Sequence, residues 1–150
     1  MREKIDPNWY MAYLGKPWEG VPHPPKSYTC GELLRAVHRD LFGIDSMPIP
    51  VPDANILRAC IDNMEPELYG LVPLKEGENP REFDTVFLSR NKYDDHCGIA
   101  CQTVEGLLIL HCENIAGVHM SSLGELKASG YRQFNWYRHR DMDALLAARR

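Results

Sequence analysis

The sequence predicts an α+β domain in which amino-terminal helices pack against an antiparallel sheet meander. Three observations lead to this prediction. A capping signal at Thr29 opens an amphipathic helix, short apolar runs separated by turn residues fill the second half, and the helices precede the strands instead of alternating with them. The chain has 150 residues, a length typical of one domain, so we assign residues 1–150 to a single domain.

The first predicted element is a short helix over residues 6–15. Asp6 can serve as its N-cap, Pro7 suits the first helical position and Gly15 suits the stop. Residues 16–27 hold four prolines and Gly20, a composition that indicates an irregular loop.

The strongest helix signal follows this loop. Thr29 and Glu32 have the spacing of a capping box, in which each side chain binds the backbone of the other residue. Apolar residues then recur at helical spacing until Gly43 ends the helix; they are Cys30, Leu33, Leu34, Val37 and Leu41. This helix therefore has one face suited to a core.

The middle of the chain is less regular. Residues 47–52 carry a proline at every second position and predict an extended connection. Asp53 can cap a third helix, whose apolar face would hold Ile56, Cys60 and Met64. Residues 71–81 are predicted to be a loop.

The second half predicts a meander and short helices. Residues 84–89, 96–102 and 106–112 are apolar runs with turn residues between them, as in consecutive strands. A second capping box, Ser122 with Glu125, predicts a helix that ends at Gly130. Residues 131–138 predict a last strand, and Asp141 can cap a terminal helix reaching Arg150.

Composition argues against several classes of partner and location. The net charge is −4 and no basic stripe is visible, so we expect no nucleic acid partner. No segment approaches the roughly 18 apolar residues of a membrane span. The first residues hold no apolar segment, so we expect synthesis in the cytosol without a secretory signal, where the five cysteines stay reduced.

Cys30 is the candidate nucleophile, because a thiol in the first turn of a helix has a lowered pKa. The alternative is a small apolar residue at the start of the buried face. His96, at the start of a predicted strand, is the candidate base. If residues 102–107 form a turn, His111 lies beside His96 and can orient its ring toward Cys30.

A zinc site is the competing interpretation of this region. The potential ligands fall close together in sequence; they are His96, Cys97, Cys101, His111 and Cys112. They contain neither a Cys-x-x-Cys nor a His-x3-His pair, and strand alternation would place His96 and Cys97 on opposite faces. We therefore predict no metal and no cofactor.

The ordered motifs of the chain resemble NlpC-type cell-wall peptidases. The resemblance spans about residues 9–139 and rests on the segments 13–18 (YLGKPW), 28–38 (YTCGELLRAVH), 43–44 (GI), 83–88 (FDTVFL), 96–99 (HCGI), 110–111 (LH), 117–118 (GV) and 137–138 (YR). The arginine-containing segment before His96 and the ending FNWYRH are most similar to members in phage and prophage tails.

This resemblance implies a papain-like fold and hydrolysis of peptidoglycan stem peptides, usually between the γ-carboxyl of D-glutamate and a diamino acid. It makes Cys30 the nucleophile, His96 the general base and acid, and His111 the orienter. It places Tyr13, Trp18 and Thr29 in the substrate-binding region, and phage tail proteins become candidate partners. The protein would then reach the wall in a virion tail or by another export route.

Two positions depart from the family pattern. Thr29 stands where many members have an aspartate that recognises the free amino end of the stem, and Trp18 replaces a common tyrosine. These departures keep two alternatives open. One is a tail-tip structural or binding module that retains the fold without activity. The other is a papain-like amidase or acyltransferase acting on a substrate outside the wall.

Overall fold

The computed structural model describes residues 4–46, 60 and 64–149. The described residues form a six-stranded sheet with three α-helices and two short 3₁₀ helices. In chain order these are a 3₁₀ helix (Trp9–Ala12), α1 (Cys30–Phe42), a 3₁₀ helix (Pro66–Tyr69), β1 (Leu71–Pro73), β2 (Thr85–Ser89), β3 (His96–Thr103), β4 (Gly106–Glu113), β5 (Gly117–Ser121), α2 (Leu123–Ala128), β6 (Gln133–His139) and α3 (Met142–Ala147).

The sheet is a meander extended by a returning strand. Its spatial order is β1-β6-β2-β3-β4-β5, and every neighbouring pair is antiparallel. Strands β2 to β5 follow one another along the chain, whereas β6 returns to lie between β1 and β2. The predicted α+β class and antiparallel meander are therefore confirmed, and the sheet is larger than the predicted one.

Helix α1 packs on one face of this sheet and α2 on the other. Leu33, Leu34 and Val37 of α1 join the larger core cluster, which also contains Phe87 and Leu110 from the sheet. On the opposite face a smaller cluster combines Val86, Leu88, Ile109, Leu126 and Tyr131. Apolar side chains thus cover both faces of the central strands, which explains why every residue of β2 is buried.

The capping signals of α1 and α2 lead to different contacts. Thr29 Oγ1 accepts a hydrogen bond from the Glu32 N–H at 3.2 Å, but the Glu32 carboxylate binds Arg35 at 2.8 Å. The first capping box is therefore only half formed. At α2 both bonds of the box between Ser122 and Glu125 are present, as predicted.

Two predictions about secondary structure were wrong, and one strand was missed. The helix expected over residues 6–15 is a single 3₁₀ turn, Trp9–Ala12, because Asp6 Oδ1 accepts from the Asn8 N–H and closes a local turn instead of capping an α-helix. Part of the loop expected over residues 71–81 is strand β1, which pairs with β6. Strand β5 was not predicted at all.

The remaining elements lie close to their predicted positions. Strands β2, β3, β4 and β6 begin and end within two residues of the expected runs. The terminal helix is shorter than predicted and ends at Ala147. Of the third helix expected after Asp53, the described part of the chain contains only Cys60, which is helical, and Met64, which is not.

No described helix combines the length and apolar character needed to cross a membrane.

Candidate active site

A cavity of ≈ 310 Å³ opens where the amino-terminal end of α1 meets the start of β3. Its volume lies at the lower end of the range of small-ligand pockets. The lining residues come from several parts of the fold and are mostly polar; they are Trp18, Thr29, Cys30, Cys60, Arg90, Asp95, His96, Cys112, Glu113, Asn114 and Tyr131. The structure thus brings the candidate nucleophile and the candidate base into one cavity.

Cys30 is the first residue of α1 and is partly exposed. A hydrogen bond with the Cys97 thiol holds the pKa of Cys30 well below its usual value, and the charge and hydrogen bond of His96 act in the same direction, against the opposing effect of burial. The nearby Glu32 carboxylate is bound by Arg35, which offsets its repulsion of a thiolate. Cys30 is therefore a thiolate-forming residue at a helix amino terminus.

His96 begins β3 and is 8% exposed. Burial disfavours its charged form, yet the Cys30 thiolate and the hydrogen bond between the two side chains raise the pKa of His96. The thiol pKa falls while the imidazole pKa rises, and together these shifts favour a thiolate–imidazolium pair.

His111 lies on β4 and completes a chain of hydrogen bonds. His96 Nε2 is 2.9 Å from His111 Nδ1, and His111 Nε2 is 2.9 Å from Ser121 Oγ. Burial, reinforced by the charge of His96, lowers the pKa of His111 to about 2, so this ring is neutral. When His96 is an imidazolium, its Nε2–H donates to His111 Nδ1, and the His111 Nε2–H then donates to Ser121 Oγ.

The register of β3 and β4 sets this contact. Gly98 pairs with His111, so His96 and His111 are offset diagonally across the two strands. The turn between these strands consists of Val104 and Glu105, inside the segment where a turn was expected. Sequence reasoning therefore placed the two histidines on adjacent strands correctly.

The arrangement can perform acyl transfer. In such a reaction a thiolate at Cys30 would attack, His96 would hold the transferable proton, and His111 would orient the His96 ring through the bond to Nε2. The Glu32 N–H donates to Thr29 Oγ1, whereas the two N–H groups before it in α1 have no acceptor inside the helix and would be available to a developing oxyanion beside Cys30.

The three candidate binding residues do not share one environment. Trp18 and Thr29 line the cavity, and the Thr29 hydroxyl also caps α1. Tyr13 lies elsewhere: it is 4% exposed, and its hydroxyl donates to Asp40 Oδ2 at 2.8 Å. The structure does not bring Tyr13 to the cavity, and we leave it out of the binding surface.

Several cavity residues were missed from the sequence. Arg90, Asp95, Glu113 and Tyr131 all lie around His96 in the folded chain. The only local signal was at Glu113, which is two residues after His111 on the same strand and so on the same face. Tyr131 comes from beyond α2, and no spacing in the sequence points to its contact with His96.

One group of described residues has the geometry to hold a metal ion. Nitrogen or oxygen atoms of His96, His111 and Glu113 lie within 4.8 Å of one another. Two of these atoms already form the bond between the histidines, and Glu113 Oε1 accepts from His119 Nε2 at 2.8 Å. Of the cysteines in the earlier zinc interpretation, none belongs to this group. Cys97 and Cys101 are buried strand residues, as predicted.

Comparison with known proteins does not assign this site to a family. No protein-family model and no curated protein sequence matches the chain. The case for a function therefore rests on the geometry around Cys30 and on the motifs of the sequence.

Proposed function

We propose that this protein is a papain-like cysteine endopeptidase that hydrolyses the stem peptides of peptidoglycan. The observation that carries the proposal is that Cys30 and His96 line one cavity and shift each other's pKa toward the charged pair, while His96 Nε2 lies 2.9 Å from Nδ1 of the buried, neutral His111. This arrangement is the nucleophile, base and orienter set that amide hydrolysis by a cysteine requires.

The reaction begins when Cys30 Sγ attacks the carbonyl carbon of the scissile amide. A carbon–sulfur bond forms, and the carbonyl oxygen becomes an oxyanion beside the free N–H groups of α1. As the carbon–nitrogen bond breaks, the His96 imidazolium gives its proton to the leaving amine. A thioester on Cys30 remains.

Water completes the reaction. His96, now neutral, accepts a proton from the attacking water, whose oxygen bonds to the thioester carbon. The carbon–sulfur bond then breaks, which releases a carboxylic acid and restores the Cys30 thiolate and the His96 imidazolium. Throughout, the neutral His111 accepts from His96 Nε2, which leaves the Nδ1 atom of His96 to exchange protons with the sulfur, the leaving amine and water.

The substrate follows from the sequence resemblance to NlpC-type peptidases. The expected bond joins the γ-carboxyl of D-glutamate to a diamino acid, and the expected setting is a phage or prophage tail, with tail proteins as partners. The cavity beside Cys30 has walls of both charges, contributed by Arg90, Asp95 and Glu113, and this suits a zwitterionic stem peptide.

Digestion of purified peptidoglycan under reducing conditions tests the proposal. The soluble products are separated and identified by mass spectrometry, with the Cys30→Ala variant as the matched control. We expect fragments cut between D-glutamate and the diamino acid from the unchanged protein and none from Cys30→Ala. Equal release by both proteins, or release by neither, would overturn the proposal.

A further inference from the structure

Further contacts lie on one face of the His96 ring. The Tyr131 ring stacks on His96, with ring centroids 5.6 Å apart and planes inclined by 18°. The Tyr131 hydroxyl donates to Glu113 Oε2 at 3.1 Å. Tyr131 therefore connects the imidazole of the proposed base to a carboxylate that also lines the cavity.

Residues other than Tyr131 also hold the Glu113 carboxylate in position. Its Oε1 atom accepts from His119 Nε2 at 2.8 Å and lies 3.7 Å from His111 Nδ1. Arg90 lies 3.7 Å from Glu113 Oε2 and 4.0 Å from the centre of the Tyr131 ring. A carboxylate with this many contacts has a defined position relative to both histidines.

Because His111 is neutral, the negative charge of Glu113 can stabilise the His96 imidazolium in a way that His111 cannot. Because His111 carries no charge, it offers His96 only a lone pair, whereas a carboxylate offers a full negative charge to an imidazolium. The charged groups facing His96 are the Cys30 thiolate, Glu113 and Asp95, and each of them raises the pKa of His96. Arg90 carries a positive charge beside Glu113, but its side chain is 47% exposed and therefore screened by solvent.

We propose that Glu113 is a positioning residue which, through Tyr131, holds the His96 ring in its working orientation and supplies the negative charge that stabilises its imidazolium. The inference rests on the proposed function, since it concerns the same cysteine and histidine. In this arrangement His111 orients the His96 ring and Glu113 provides the negative charge. The two tasks of the third residue in the site, orientation and charge stabilisation, are thus divided between His111 and Glu113.

The test follows the titration of His96 by NMR and needs no wall substrate. The His96 ring signals, assigned by their loss in His96→Gln, are recorded against pH in the unchanged protein and in Glu113→Gln. We expect the midpoint for His96 to fall by about one pH unit in Glu113→Gln. Alkylation of Cys30 by iodoacetamide should also slow at neutral pH, because the ion pair is less populated.

Matched variants separate this role from a structural one. Glu113→Asp keeps the charge and should restore most of the midpoint, whereas Glu105→Gln removes an exposed carboxylate in the β3–β4 turn and should change nothing. Tyr131→Phe removes only the hydroxyl that donates to Glu113, so it should lower the His96 midpoint by less than Glu113→Gln does. This variant provides the test if Glu113→Gln does not fold. The same His96 midpoint in Glu113→Gln and Glu105→Gln would overturn the proposal.

Discussion

Gly98 lies directly opposite His111 in the β3–β4 ladder, and a Cβ atom at Gly98 would stand 3.2 Å from the His111 Cβ and 2.5 Å from Ile109 Cγ2. The absence of a side chain at Gly98 therefore lets His111 sit beside His96. The His-x-Gly spacing of the sequence thus has a steric reason in the structure.

The first prediction is that Gly98→Ala displaces His111 and reduces activity. Because the added methyl group would overlap Ile109 Cγ2 and crowd Leu110 O and His111 Cβ, these atoms must shift, and we expect a loss of about 1–3 kcal/mol in the free energy of unfolding. The fractional loss of activity should exceed the fraction of Gly98→Ala that is unfolded under the assay conditions. Urea unfolding and digestion of peptidoglycan, measured on the same preparation, check both expectations.

Gly124→Ala is the matched control for this substitution. Gly124 is an exposed helical residue, and the nearest atom to its added Cβ is Ser122 Oγ at 3.8 Å. We expect a small gain in stability, since alanine favours helix more than glycine, and unchanged activity. A similar loss in both variants would show that the close packing at Gly98 has no special importance.

The second prediction ranks the two histidines. His96→Ala should abolish release of wall fragments, because no group then carries the proton between nucleophile, leaving amine and water. His111→Ala should leave measurable activity, since an orienting residue transfers no proton. Initial rates at several pH values provide the measurement, and full activity in His96→Ala would contradict the assigned roles.

The third prediction concerns stability against pH. Burial lowers the pKa of His38 to about 3, and its Nε2 atom has no hydrogen-bond partner among the described residues. Below the ordinary histidine pKa of about 6.5, His38 is protonated in the unfolded chain but stays neutral in the folded protein. The free energy of unfolding therefore falls as the pH falls. The loss per such histidine is about 1.4 kcal/mol per pH unit until the folded pKa is reached.

Urea unfolding between pH 7.5 and 5 measures this effect. His111 adds to it, because its folded pKa is also lowered, whereas His96 acts in the opposite direction, because its folded pKa is raised. His38→Leu removes one titrating group, so its stability should depend less on pH than that of the unchanged protein. Parallel curves for the two proteins would show that His38 does not contribute.

The fourth prediction concerns a buried ion pair that joins two segments of the fold. Asp84 is fully buried, and Arg138 binds both of its oxygens at 2.8 Å. Removing the charge in Asp84→Asn leaves the guanidinium without its buried partner, and we expect a loss of about 3 kcal/mol.

Glu78→Gln is the control. Glu78 is an exposed residue, and its carboxylate lies 2.7 Å from the same guanidinium. Water can replace that contact, so we expect little change in stability. Thermal unfolding of both variants distinguishes the two environments. An equal effect of the two substitutions would contradict the importance given to burial.

The parts of the site that could be predicted from sequence are those set by local rules. The capping residue Thr29 fixes the start of α1 and hence the position of Cys30, and the short turn after β3 brings His96 and His111 together. Tyr131 and Glu113 could not be paired in this way, because their contact depends on how the segment after α2 packs over the sheet.

The edge strands were also difficult to predict from local sequence patterns. In β1 only Leu71 is buried, so the segment has no alternating pattern, and its strand conformation comes from pairing with β6, which is distant in sequence. β5 is held in place partly by the amino-terminal segment, since the Val118 N–H donates to Lys16 O at 2.8 Å. Such long-range pairing leaves little signal within either segment.

Titration of the thiols with iodoacetamide tests the central claim, that Cys30 is an activated nucleophile, most directly. One equivalent of reagent is added at neutral pH, the modified residue is located by peptide mapping, and the remaining release of wall fragments is measured on the same sample. Buried Cys97, Cys101 and Cys112, whose pKa values are raised, should react slowly. We predict modification at Cys30 with a proportional loss of activity; full activity in protein completely modified at Cys30 would contradict the account.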